Sequence, residues 1–208
     1  MIIHIVGNSG SGKTTLGNRF KKLYGDKIIL IDTDEIKKEI IQKQYKSISK
    51  IQKVLQTGEW INIYFTELTK ILKKNNDKII ILTGVSHLKI ASLKKKLTQM
   101  IDHKFGIEED LNKSYKKYIK RELLNIKKKL TTKTIDKIIQ QKSENITIYS
   151  IYKYDMRYPY DFSFYVKLNS MFKSQNLKYG YKYLKSNLLF DKIDEIINVE
   201  IILFQSLP

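Results

Sequence analysis

Residues 7–14, Gly-Asn-Ser-Gly-Ser-Gly-Lys-Thr, match in full the G-x-x-x-x-G-K-[ST] pattern that wraps a backbone loop around a phosphate chain. A polyphosphate is held by backbone N–H groups converging on one anion, and glycines allow the φ/ψ values that bring successive amides together. Lys13 follows the last glycine and is placed to reach the β- and γ-phosphates, while the Thr14 hydroxyl is placed for Mg²⁺. The helix that opens here aims its positive end at the same anion. Nucleotide contacts are therefore expected from Gly7, Asn8, Ser9, Gly10, Ser11, Gly12, Lys13, Thr14 and Thr15.

A second group that can do chemistry is Asp32-Thr33-Asp34, at the end of the apolar run 27–31. Ligands of open α/β sheets bind outside the carboxyl ends of the strands, so both acids are expected to face the same crevice as the glycine loop. Asp32 is expected to orient the waters of Mg²⁺. Asp34 is expected to accept a proton from an attacking hydroxyl or to hold the acceptor; its structural alternative is to cap the helix that begins at Glu35. A third run, 78–82, ends in Thr83-Gly84, and a glycine at a strand end permits close approach, which makes Gly84 a candidate acceptor-side wall. His87 suits a surface or capping position better than catalysis, and His4 and His103 lack metal-ligand spacing with any partner.

The elements that must position these residues follow from hydrophobic periodicity. Residues 1–6 form an apolar run that predicts a buried parallel strand, and Leu16, Phe20, Leu23 and Tyr24 recur at helical spacing until Gly25. Strand, glycine loop and helix are the context the phosphate pattern requires. Residues 35–76 predict helices with breaks near 45–49 and 57–58, and Ile61, Tyr64, Leu68 and Leu72 belong to an apolar stripe that predicts core. Further strands are expected at 97–105, ended by Gly106, at 145–152 and at 199–204. Helix is expected over 108–130, 131–142 and 166–197, the last interrupted near 176–181. Strands alternating with helices predict a three-layer α/β/α sandwich around a parallel sheet, and 208 residues suit one domain.

Arg121 lies inside the basic helix at 108–130; its planar fork suits phosphate better than lysine does, so it is a candidate phosphate clamp. The net charge of +18 invites a nucleic-acid partner, yet only three of the 39 basic residues, Arg19, Arg121 and Arg157, are arginines. Lysines spread over most helices more often form a solvated face. The absence of cysteine removes disulfides and thiolate metal sites. No apolar run approaches a membrane span, and a phosphate loop so near the first residue argues against a removed targeting segment, so a cytoplasmic protein is expected.

Taken together, the glycine loop, Asp32-Thr33-Asp34 after the second strand and Thr83-Gly84 after the third resemble the small P-loop kinases of shikimate, gluconate, nucleosides and nucleotides. The resemblance is carried by residues 1–36 above all. It implies a five-stranded sheet of order 2-3-1-4-5, ATP with Mg²⁺, and a basic helical lid, here about 107–142. It implies that Lys13 and Thr14 are the phosphate lysine and the magnesium hydroxyl. By the same resemblance Asp32 is the magnesium acid, Asp34 the acceptor-side acid and Arg121 the lid arginine. The tail from Tyr152, with Tyr154, Arg157 and Pro159, resembles P-loop kinase-like proteins of large DNA viruses. Two alternatives remain open: a polynucleotide 5′-kinase, and a nucleotide-binding module without turnover.

Overall fold

Ile2–Val6 forms strand β1, and the two-residue period of a strand sends Ile3 and Ile5 to one face of the sheet and His4 to the other. In the computed structural model, which describes residues 1–44, 60–84, 91–125 and 162–206, four more strands join it: β2 Ile28–Asp32, β3 Ile79–Thr83, β4 His103–Glu108 and β5 Lys182–Lys185. The order is β2-β3-β1-β4-β5 and every pairing is parallel. A parallel sheet needs crossover helices that also cover its faces. Among the described residues these are α1 Lys13–Tyr24, α2 Thr33–Gln44, α3 Trp60–Lys74, α4 Ala91–Gln99, α5 Leu111–Asn125 and α6 Phe162–Lys178, and α7 Ser186–Gln205 follows the last strand.

Two cores follow from this layering. On one face Ile80 and Leu82 of β3 pack with Ile61, Tyr64, Leu68 and Leu72 of α3, the stripe expected from the sequence. On the other, Ile3, Ile5, Ile79 and Ile81 pack with Leu16 and Phe20 of α1 and with Leu189, Ile193 and Ile197 of α7. All five residues of β3 are buried, as befits a strand flanked on both sides and covered on both faces. The register sets Asp32 beside Thr83 and Thr83 beside Ile5. The carboxyl ends of β2, β3 and β1 therefore share one edge, and the glycine loop leaves from it.

Several expected elements are placed differently. The strand expected at 97–105 begins later, because residues 91–99 form α4, and Gly106 lies inside β4 rather than at its end. A Cβ at Gly106 would strike the Tyr183 ring of the neighbouring strand, which explains glycine within a ladder. The strand expected at 199–204 is the last part of α7. Its β-branched residues follow a helix whose buried positions, Leu189, Ile193 and Ile197, repeat every four residues at 0% exposure, while Ile202 is 64% exposed. The interruption near 176–181 holds a turn, and β5 follows it. This edge strand is only four residues long with a lysine at each end, a composition that discourages further pairing and hides the strand signal. Just before it Tyr181 shares a 2.7 Å hydrogen bond with buried His4 Nδ1 on β1. The expected strand at 145–152, the breaks at 45–49 and 57–58, His87, Arg157 and Pro159 lie outside the described residues.

Candidate active site at the carboxyl edge of the sheet

Between β1 and α1 the chain makes a tight loop in which Gly10 and Gly12 take φ of 89° and 94°. Gly10 is required twice over. A side chain would be strained at that φ, and its Cβ would strike the Ser114 carbonyl of α5. Lys13, buried in the first turn of α1, donates from Nζ to the Asn8 carbonyl at 2.8 Å. Burial pushes its pKa down, and the carboxylates of Asp34, Glu109 and Asp32, in that order, oppose the shift. A phosphate arriving beside Lys13 would add negative charge and favour the ammonium further.

The Ser11 hydroxyl is buried with no hydrogen-bond partner among the described residues. Beside the loop, Thr14 Oγ1 donates to Asp32 Oδ2 at 3.2 Å. A buried ammonium, an orphaned hydroxyl and a hydroxyl–carboxylate pair at a helix start are a donor set suited to a metal-bound polyphosphate. Thr15 is exposed one residue further along α1.

Asp32 Oδ1 also accepts the Asp34 backbone N–H at 3.0 Å, so it is Asp32 that caps α2, while the Asp34 side chain is exposed. Burial pushes the Asp32 pKa up, and the hydrogen bonds from the Asp34 amide and Thr14 act against this. Thr33 Oγ1 donates to the Thr83 carbonyl at 3.0 Å, and a Cβ on Gly84 would strike the same hydroxyl. The close approach at Gly84 is thus made by the chain itself. Tyr64 of α3, expected only as core, hydrogen-bonds Thr33 from beneath, and burial raises its pKa.

Two residues of this region are not distinguishable in the sequence. Glu109, just after β4, accepts the Asn8 N–H at 3.3 Å, and its other oxygen is buried without a hydrogen-bond partner among the described residues. Burial pushes its pKa up, against Ser114, Asn8, Lys13 and Lys117. Tyr165 of α6 donates to the Ser9 carbonyl at 2.6 Å. These partners lie 101 and 156 positions apart in the chain, so no local pattern marks them. Arg121 sits on the exposed side of α5 and acts electrostatically on both Lys13 and Tyr165. Of the region 107–142, residues 107 and 108 close β4, 111–125 form α5, and 126–142 lie outside the described residues.

A glycine loop on the central strand of a 2-3-1-4-5 parallel sheet, with an acid ending the outer strand and paired to the residue after the loop lysine, is the arrangement of a P-loop kinase fold. A curated dephospho-CoA kinase from Buchnera aphidicola subsp. Schizaphis graminum (strain Sg) is 28% identical over 212 residues, covering 85% of this chain and 97% of that protein. This likeness and the sheet order support a P-loop kinase-like family for the chain. Among solved structures, shikimate kinase from Acinetobacter baumannii in complex with shikimate matches over 100% of this chain and 95% of its own, at 18% identity and a TM-score of 0.45. No family model matches the sequence. Among the described residues no helix is long and apolar enough to cross a membrane.

Proposed function

We propose that the protein is an ATP- and Mg²⁺-dependent phosphotransferase whose acceptor is the hydroxyl of a small molecule or nucleotide, with dephospho-CoA the foremost candidate. The single observation that carries this reading is the Thr14–Asp32 hydrogen bond of 3.2 Å at the mouth of a glycine loop that also buries Lys13. The choice of acceptor draws on the dephospho-CoA kinase, whose likeness runs nearly the length of both chains.

When bound, MgATP supplies the transferable phosphoryl group and the charge of the metal. Residues 7–15 hold the phosphates through backbone N–H groups, and Ser11 donates its hydroxyl. Lys13 brings positive charge to the β- and γ-phosphates, and Thr14 and Asp32 hold the metal, Thr14 by its hydroxyl and Asp32 through water. Asp34, exposed beside them, takes up the acceptor's hydroxyl proton on a carboxylate oxygen. Arg121 clamps phosphate oxygens from α5, in a region of the chain that closes over them as a lid. Preorganised charge of this kind is the main contribution a protein makes to phosphoryl transfer.

A second reading is favoured by one surface. Lys113, Lys116, Lys117, Lys120 and Arg121 recur at three- and four-residue steps and are all exposed on α5, the helix whose backbone abuts Gly10. Such a stripe fits a nucleic acid, and the acceptor would then be a polynucleotide 5′-hydroxyl. The test is incubation with γ-labelled ATP and a panel of dephospho-CoA, nucleosides, nucleotides, polyols and 5′-hydroxyl oligonucleotides. Label in dephospho-CoA is expected; label in the oligonucleotide, falling steeply with added salt, would replace the first reading by the second. ATP bound with no label in any acceptor would leave a nucleotide-binding module.

A further inference from the structure

The outer limb of the phosphate loop, residues 8–10, is fastened from outside by side chains distant in sequence. Tyr165 is 2% exposed, yet its hydroxyl is not spent on its own helix: it donates to the Ser9 carbonyl at 2.6 Å. Its own carbonyl accepts Asn8 Nδ2 at 3.5 Å, so one residue of α6 holds two neighbours of the loop. The ring is fixed independently, stacking on Tyr118 with centroids 5.6 Å apart and tilting against Tyr115 at 5.3 Å.

A trans peptide is planar, and its C=O and N–H point in opposite directions. Holding the Ser9 carbonyl toward α6 therefore turns the Gly10 N–H away from α6. The carbonyl one residue earlier, that of Asn8, accepts instead from Lys13 Nζ at 2.8 Å and from the Ser11 N–H at 3.2 Å. Successive peptide units of the loop are thus each pinned by a named donor. A glycine at position 10 leaves this peptide easy to rotate, so something outside the loop must select its orientation.

We propose that Tyr165 is a positioning residue for nucleotide binding: its hydroxyl sets the Ser9–Gly10 peptide so that the Gly10 amide is presented to the phosphates. This rests on the MgATP reading above. It makes the affinity of the loop depend on the seating of α6, a helix that contributes no residue to the phosphate pattern.

Tyr165→Phe removes the hydroxyl and keeps the ring between Tyr115 and Tyr118; Tyr165→Leu removes both. Calorimetric titration of the full chain with MgATP is paired with the Gly10 amide resonance in ¹⁵N-labelled protein, which a purely structural role would leave in place. The expected result is MgATP binding about five- to tenfold weaker in Tyr165→Phe, with the Gly10 amide shifted and the β1 and β3 amides unchanged. Wild-type affinity and an unmoved Gly10 amide in Tyr165→Phe would overturn the proposal, whether Tyr165→Leu binds normally, binds weakly through lost packing or fails to fold. That outcome leaves the MgATP reading intact, whereas a wild-type chain that binds no MgATP would overturn both.

Discussion

Thr14 and Asp32, separated by an entire helix and strand, meet through a 3.2 Å hydrogen bond from the threonine hydroxyl to one carboxylate oxygen, while the other oxygen caps α2. The cap fixes the carboxylate, and the threonine is fixed by the first turn of α1. The pair is therefore held from both sides. Asp34, two residues on, has an exposed side chain.

The two acids should consequently fail in different ways. Asp32→Asn is expected to raise the Mg²⁺ concentration needed for half-maximal turnover by about tenfold. Asp34→Asn is expected to cut turnover while MgATP affinity stays near that of the wild type. Metal titrations that coincide for both variants and the wild type would remove the distinction.

Glu109 gives a stability prediction with a definite sign. Burial holds its folded-state pKa above the ordinary 4.5, so the folded protein binds this proton more tightly than the unfolded chain. The stabilisation is full below about 4.5 and is lost as pH rises through the raised value. Glu109→Gln should therefore melt higher than wild type at neutral pH, and the gap should close on acidification. Melting curves from pH 4 to pH 8 check this; a variant less stable than wild type at pH 7 contradicts it.

Tyr24 ties α1 to α7 through a hydrogen bond of 2.6 Å to Asp194. Burial first, then Asp194, pushes its phenol up from 10.0 to about 12. This contribution is complete below pH 10 and disappears as pH rises through 12. Tyr24→Phe is expected to cost about 1 kcal/mol in a denaturant melt at neutral pH. It should also flatten the alkaline limb of the stability profile.

What was legible in the sequence was local. The loop from Gly7 to Thr14 lies within one strand–turn–helix unit, and the uniformly apolar β3 announces its buried place between two neighbours. The resemblance to P-loop kinases added the strand order. Less legible was whatever depends on chain segments meeting: β5 is an edge strand with a lysine at each end, and Val199 to Phe204 are mostly β-branched or aromatic residues kept helical by the packing of Leu189, Ile193 and Ile197 before them. Glu109 and Tyr165 are ordinary residues until the sheet and α6 bring them to Asn8 and Ser9.

Arg121 is exposed on α5. Arg121→Lys keeps the charge and loses the planar fork, so turnover should fall on the order of 10-fold or more, with MgATP affinity reduced by less. Hydrogen exchange across residues 111–125 should slow when a non-hydrolysable ATP analogue binds. Unchanged exchange together with unchanged turnover would assign Arg121 to the solvated face of α5.

The decisive measurement is a calorimetric titration of wild type and Lys13→Ala with MgATP and, separately, with adenosine. Lys13 is buried at the loop, with its ammonium on the Asn8 carbonyl, and in the proposed function it brings charge to the β- and γ-phosphates. The wild type should bind MgATP far more tightly than adenosine, and Lys13→Ala should lose about 10- to 100-fold in MgATP affinity with its fold and adenosine affinity kept. Equal affinity for MgATP and adenosine, or MgATP binding unaltered by the substitution, would contradict a phosphate-holding function for this loop.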